Sequence, residues 1–491
     1  TPSFYAGASS TLALTLHPST GNVTVAGDLI LSSTINGATL GVDSDSVLAQ
    51  STGTGTSNTI FGKNAGDSIA SGGNYNTLFG EDAGTAITTG DYNTLIGYRA
   101  GYTATTTRYL TILGYKAAQS LTADNTDALG TIAIGGFAFN DLSEGQYNVA
   151  IGYRAGANVT TSDYSTFLGY EAGYGNDSTA LTGDSNTAVG YHAGYSLKGA
   201  TANTVLVGYE AGNSIDSPDA NGTVAIGFQA LKSLTDGEDN LAIGRDSGEN
   251  LTTANYNLFI GPSAGYGNSG APLTGDSNIA IGYAAGNVIQ GAATNNVLIG
   301  VNAGTAMTTG TGNTFLGNNA GDNLATGENN IAIGHSSLYT DVDGDRNIAI
   351  GYKALYHYNA ESSGEGGNTV IGFNAGEFVE YGQYNVFIGG YAGESVTGDK
   401  LDGDQNIAIG YAAGQDLRGA ATDNIFMGHN AGLDVQTGIQ NVAIGSLALQ
   451  NADANESRNT AVGYAALYAM DGDEQYSYNT AVGWNAGYNI T

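Results

Sequence analysis

Asn93–Gly101 reads NTLIGYRAG, and Asn186–Gly194 reads NTAVGYHAG. The core of both is Asn-Thr-apolar-apolar-Gly. Anchored on its glycine, this unit recurs at Gly62, Gly80, Gly97, Gly114 and onward to Gly483, 24 copies in all. The mean step, (483 − 62)/23, is about 18 residues, the commonest is 17, and some reach 21. The fuller unit continues with a Thr-rich segment and a turn, as in Ile87–Asp91 (ITTGD). A unit this short cannot hold two packed helices, which need ~33 residues or more. β-Branched and aromatic residues between turn formers read as a short strand. The Leu-Thr-Thr segment reads as a second, weaker strand, with Gly-Asp and Ala-Gly pairs as turns. The expectation is an all-β chain: a β-solenoid, or β-roll, of about 24 short coils over residues 51–491, each coil adding ~4.8 Å. Residues 1–50 differ. Gly21–Gly41 alternates apolar and polar residues around a Gly-Asp turn, so this part reads as a β-rich connector segment.

Neighbouring residues on a strand point to opposite faces. The second apolar residue of the unit is always large (Phe61, Phe79, Ile96, Leu168), which predicts that it is buried inside the coil. The first varies from Phe167 and Phe259 to Ala133 and Ala150, yet it is never charged. It is therefore expected to face another copy of the chain. Several thin coils around a common axis would share the core that one coil lacks, and a parallel homotrimer is predicted. The residue after the glycine is often aromatic (Tyr98, Tyr115, Tyr153, Tyr170) and predicts a stacked ladder on the rod. The leading Asn predicts a second ladder of side-chain amides. Ala83, Ala100 and Ala155, three residues after the glycine, predict a tight corner.

Composition removes several alternatives. Gly is 77 of 491 residues, but Pro is 5, which excludes a collagen. There is no Cys, hence no disulfide framework and no thiolate metal site. With 13 Lys+Arg against 45 Asp+Glu, the net charge is −32, which argues against nucleic acid and anionic lipid as partners. No apolar run is long enough to span a membrane. Blocks of several units are themselves duplicated. Tyr174–Gly212 returns at Tyr266–Gly304, an offset of 92, and a shorter part returns at Gly403–Gly432. Duplication of whole blocks suits a chain selected for length.

These N-T-A-h-G-Y-x-A-G repeats, with the Ala-Leu ending at Ala230-Leu231, Ala354-Leu355, Ala448-Leu449 and Ala466-Leu467, resemble the repeats of phage tail fibres and related surface fibres. More distantly they resemble the head repeats of trimeric autotransporter adhesins. The resemblance covers about residues 58–491. It implies a left-handed trimeric β-roll in an extracellular structural fibre or adhesin, the shaft of a virion tail fibre or of a cell-surface appendage. The partners it implies are the chain itself and a cell-surface glycan or protein receptor. The alternative is a carbohydrate-binding or polysaccharide-cleaving tailspike.

Catalysis finds little support in the residues. The five histidines (His17, His192, His335, His357, His429) are scattered, and His335 and His429 stand where Tyr is usual. There is no Gly-x-Ser-x-Gly and no P-loop. Carboxylates such as Asp91, Asp184, Asp276, Glu328, Asp399 and Asp404 fall in turns. The chain is therefore expected not to be an enzyme and to need no cofactor. One metal question stays open. Asp341, Asp343 and Asp345 are spaced like the start of a Ca²⁺ loop, with shorter echoes at Asp402–Asp404 and Asp471–Glu474. Gly-Asp turns alone explain the same pattern. Thr-Thr pairs (Thr88-Thr89, Thr160-Thr161) are interrupted too often for a flat ice-binding array.

Overall fold

The structure is a computed structural model. It describes residues 55–491 apart from 123–128, 176–177, 361, 363, 397, 453–454, 471–477 and 491, together with five short strands among the first 54 residues. His17, residues 51–54 and the acidic echo Asp471, Asp473 and Glu474 lie outside the described residues. Within the connector, Leu14–Leu16 pairs antiparallel with Val23–Val25, and Thr34–Ile35 with Ala38–Thr39. Leu48–Ala49 then pairs antiparallel with the first strand of the repeat, Thr59–Phe61.

The described residues contain no helix. Each copy of the unit forms one three-residue strand, from Thr59–Phe61 through Thr94–Ile96 to Thr480–Val482. Every strand pairs parallel and in register with the next copy. Ala133 lies opposite Ala150, Phe167 opposite Ala188, and Ala461 opposite Ala481. This is a parallel β-solenoid, and its 23 steps give a rod on the order of 110 Å long. The unit glycine continues the ladder, with Gly97 N donating to the Phe79 carbonyl at 2.8 Å. At Gly169 the backbone has φ +142, and a Cβ there would fall on the carbonyl of Gly190 in the next coil. Only glycine fits that approach.

The two faces of the strand are the reverse of the sequence expectation. The middle residue, the one that varies between Ala and Phe, points into the coil: Leu78, Phe167, Phe259 and Ala133 are all buried. The invariably large third residue points outward, with Phe79 at 52% and Leu168 at 42% exposure. The variation marks the interior because the interior is narrow. Its occupants must share a fixed volume, whereas the outer face imposes no such limit.

That sharing is visible four residues after the unit glycine. The five coils with Phe at the strand centre (Phe167, Phe259, Phe315, Phe387, Phe426) carry Gly173, Gly265, Gly321, Gly393 and Gly432 there. The coils that carry Phe139, Leu231, Leu338, Leu355, Leu449 or Leu467 instead have Ala at the strand centre. The Ala-Leu ending is thus a volume swap within one coil. Rings also reach over a small coil. Phe139 and Phe167 meet edge to face at 5.9 Å across the coil of Ala150 and Gly156.

The Leu-Thr-Thr side differs from the expected second strand. Its apolar residue is core, as Ile87, Val159, Leu181 and Leu251 are fully buried. Its backbone pairs as a β-ladder only in places, at Val159–Leu181–Gly199, Leu251–Leu273–Gly291, Val379–Leu401–Gly419 and between short strands such as Asn451–Ala452 and Ala469–Met470. Elsewhere this side is turns tied coil to coil. Thr308 N and Oγ1 both bond the Ala325 carbonyl, at 2.9 and 3.0 Å.

Many non-glycine residues sit in left-handed backbone at two recurrent corners, for example Arg99 (φ 54), Glu171 (φ 52), Tyr92 (φ 60) and Tyr164 (φ 55). Each such residue costs roughly 1–2 kcal/mol locally. Inter-coil bonds offset this: Arg99 N donates to Glu81 O at 3.0 Å, and Tyr92 N to Asn74 O at 3.0 Å.

The expected Asn ladder is present. Asn313 Oδ1 accepts from Asn330 N (2.9 Å) and Asn330 Nδ2 (3.1 Å), while its own Nδ2 donates to Gly327 O (2.8 Å) and Asn296 Oδ1 (3.2 Å). The expected Ala corner is present too. Ala83, Ala100 and Ala155 are buried, and Ala83 N closes a turn onto Gly80 O at 3.3 Å.

Candidate functional surface and the Asp341 cluster

One face of the rod is uncharged from coil to coil. It is built from the first and third residues of every strand, which are Thr, Val, Ile, Leu, Phe or Met throughout. Aromatic columns border it on both sides. One is the expected column after the glycine, where Tyr153, Tyr170, Tyr191, Tyr209 and Phe228 stack at 5.1 to 5.5 Å. The other was missed. Tyr75, Tyr92 and Tyr109 stand two residues before the strand, with ring centroids at 5.0 and 5.4 Å and planes 5° and 4° apart. The recurring Tyr-Asn pair at Tyr75, Tyr92, Tyr147, Tyr256 and Tyr384 was the available signal.

The stacking has a chemical consequence. Each ring covers the face of the ring in the next coil, so the ladders present edges and hydroxyls to solvent. A sugar stacks on a ring face, and in these runs the faces are taken. The ladder turns at Phe137 and Tyr391, where the rings stand edge to face with their neighbours. Both follow Gly-Gly pairs, at Gly135-Gly136 and Gly389-Gly390, so the aromatic residue has moved one place along the chain.

The charged residues beside the ladder are tied between coils. Glu171 binds His192 Nε2 at 3.0 Å and Arg154 at 3.5 Å. Burial alone would raise the Glu210 carboxyl, but bonds from Lys232 (2.7 Å) and Gln229 (2.9 Å) bring it below the usual range. His335 stacks on Tyr352, His429 on Tyr411 and His357 on Phe378, as rungs among aromatic neighbours. The turn carboxylates are also engaged. Asp91, Asp184, Asp276 and Asp404 accept backbone N–H groups of the preceding coil, from Asn74, Asp163, Asn255 and Gln383, at 2.7 to 2.8 Å.

Asp341, Asp343 and Asp345 do not converge. Asp343 lies outside and accepts the Thr326 hydroxyl. Asp345 accepts backbone N–H groups from Glu328 (2.7 Å) and Gly364 (2.9 Å). Asp341 points inward and is fully buried, in the column that holds Met307 and Leu324 in the preceding coils. Among the described residues no group of three or more His, Asp or Glu side chains is arranged to hold a metal ion. Burial raises the Asp341 carboxyl to about 7.

No protein-family model, curated protein or solved structure matches this chain. No helix among the described residues is long and apolar enough to cross a membrane.

Proposed function

We propose that this chain is the shaft of an extracellular attachment fibre, of a virion tail or a cell surface, and works as a parallel homotrimer. The observation that carries this reading is the uncharged outer face of the sheet. Three-residue strands repeated over 23 steps present a strip of roughly 1,100 Å² per chain before the aromatic columns are added. A soluble monomer leaves bare patches of only about 300–600 Å². A stable interface needs about 800 Å² per partner. The strip repeats at every coil, so its best complement has the same period and length, which is another copy of the chain. Charge points the same way, because the −32 lies off this strip and copies repel one another everywhere else. The function of such a rod is mechanical. It holds a receptor-binding end, for a glycan or a protein, at a fixed distance from its base.

Light scattering after size exclusion tests the assembly. The expected mass is three times the 49.7 kDa of one chain, with thin stiff rods by electron microscopy. A stable monomer at micromolar concentration overturns the reading.

A further inference from the structure

One buried pair of polar groups stands apart from the repeat. The column that closes the core opposite the strand runs Met307, Leu324, Asp341, Tyr358, Val379, one residue per coil, and all five are fully buried. Asp341 Oδ1 accepts N–H groups from Gly344 (3.0 Å) and Ala360 (3.3 Å). Asp341 Oδ2 and the Tyr358 hydroxyl have no partner, although both are buried. Each orphaned atom has lost its hydration without gaining a partner, which destabilises the coil that holds it. Elsewhere the column is aliphatic, so a carboxyl here weakens the rod where a leucine would strengthen it.

We propose that Asp341 and Tyr358 form a proton-controlled weak point in the rod, closed when Asp341 is protonated and opening locally between Gly334 and Gly372 when it is ionised. The neutral carboxyl brings no charge into the core. The ionised carboxylate brings a full charge into an apolar column. The charged groups facing the pair are carboxylates: Asp343 acts on Asp341, and Glu365, Asp404 and Asp345 act on Tyr358. All of them oppose ionisation of Asp341 directly or raise the negative potential around it.

The sign follows from linkage. The carboxyl titrates near 3.8 in an unfolded chain and near 7 in the rod. Its protonated form therefore contributes stability that is full below about pH 4 and falls as pH rises to about 7. Between pH 5 and pH 8 the local opening constant should rise roughly a hundredfold.

Hydrogen exchange on the full-length chain, read by mass spectrometry and corrected for intrinsic rates, measures this directly. Peptides within 334–371 should lose protection from pH 5 to pH 8, while those within 279–316 stay flat. In Asp341→Asn the slope should vanish, and in Asp341→Leu these coils should stay protected throughout. Tyr358→Phe removes a hydroxyl that has no partner, so it should keep the slope and leave protection no lower at either pH value. A flat wild-type profile overturns the proposal, as does an unchanged slope in Asp341→Asn or a lost slope in Tyr358→Phe.

Discussion

Gly173 and Leu231 occupy the same corner of two different coils, and the residue at the strand centre decides which of them fits. A Cβ on Gly173 would overlap the ring of Phe167, whereas Leu231 lies over Ala225. Gly173→Leu should therefore destabilise the rod by about 1–3 kcal/mol through overpacking. Adding Phe167→Ala, itself costing about 3–5 kcal/mol, should recover part of the loss, with a coupling of about 1–3 kcal/mol between the sites. Denaturant unfolding of the two single variants and the double variant reads this coupling. Additive losses would refute the shared-volume account. The Asn column makes a second prediction at this scale. Asn313→Ala leaves Gly327 O and Asn330 N without their side-chain partner inside the rod. The expected cost is about 2–4 kcal/mol, and faster exchange should be confined to the coils on either side.

Within a single strand, adjacent residues serve different ends. Phe259 is core and Ile260 lies on the outer face. Phe259→Asp should unfold several coils, with loss of the β signal in circular dichroism. Ile260→Asp should keep that signal and reduce the assembled mass; an intact trimer would show that the outer face is not the contact. The strand itself, its register, the Asn column and the Ala corner were legible from Asn-Thr-apolar-apolar-Gly, because a repeat in register places like over like. The direction of the faces was not. Alternation says that Phe259 and Ile260 point apart, and says nothing of which way is in. The missing signal was covariation within the unit: Phe259 comes with Gly265, and Ala225 with Leu231. Asp341 was legible as unusual but was read with Asp343 and Asp345 as one loop. Counting seven residues from Gly334, as from Gly317 to Leu324, places it in the core column instead.

Across the whole molecule each coil pairs its strand only with those of its neighbours, so stability and length should both scale with the number of units. The duplicated blocks supply a clean test, since Gly169 and Gly261 open coils of the same 21-residue length with the same Tyr-Gly-Asn turn. Deleting residues 170–261 joins Gly169 to Pro262 and removes five coils in register. Every remaining strand keeps a parallel neighbour, and the outer face stays continuous across the junction. The shortened chain should therefore fold, keep its assembled state and lose about 24 Å of rod length, as read by electron microscopy or small-angle scattering. A deletion of eight residues should behave differently. It breaks the coil, displaces the glycine that must lie under the next coil's carbonyl, and moves core residues out of their columns, so aggregation is expected. If the deletion of five whole coils also aggregated, the rod would not be a sum of equivalent steps. Its length would then depend on long-range contacts that none of its strand pairs supply.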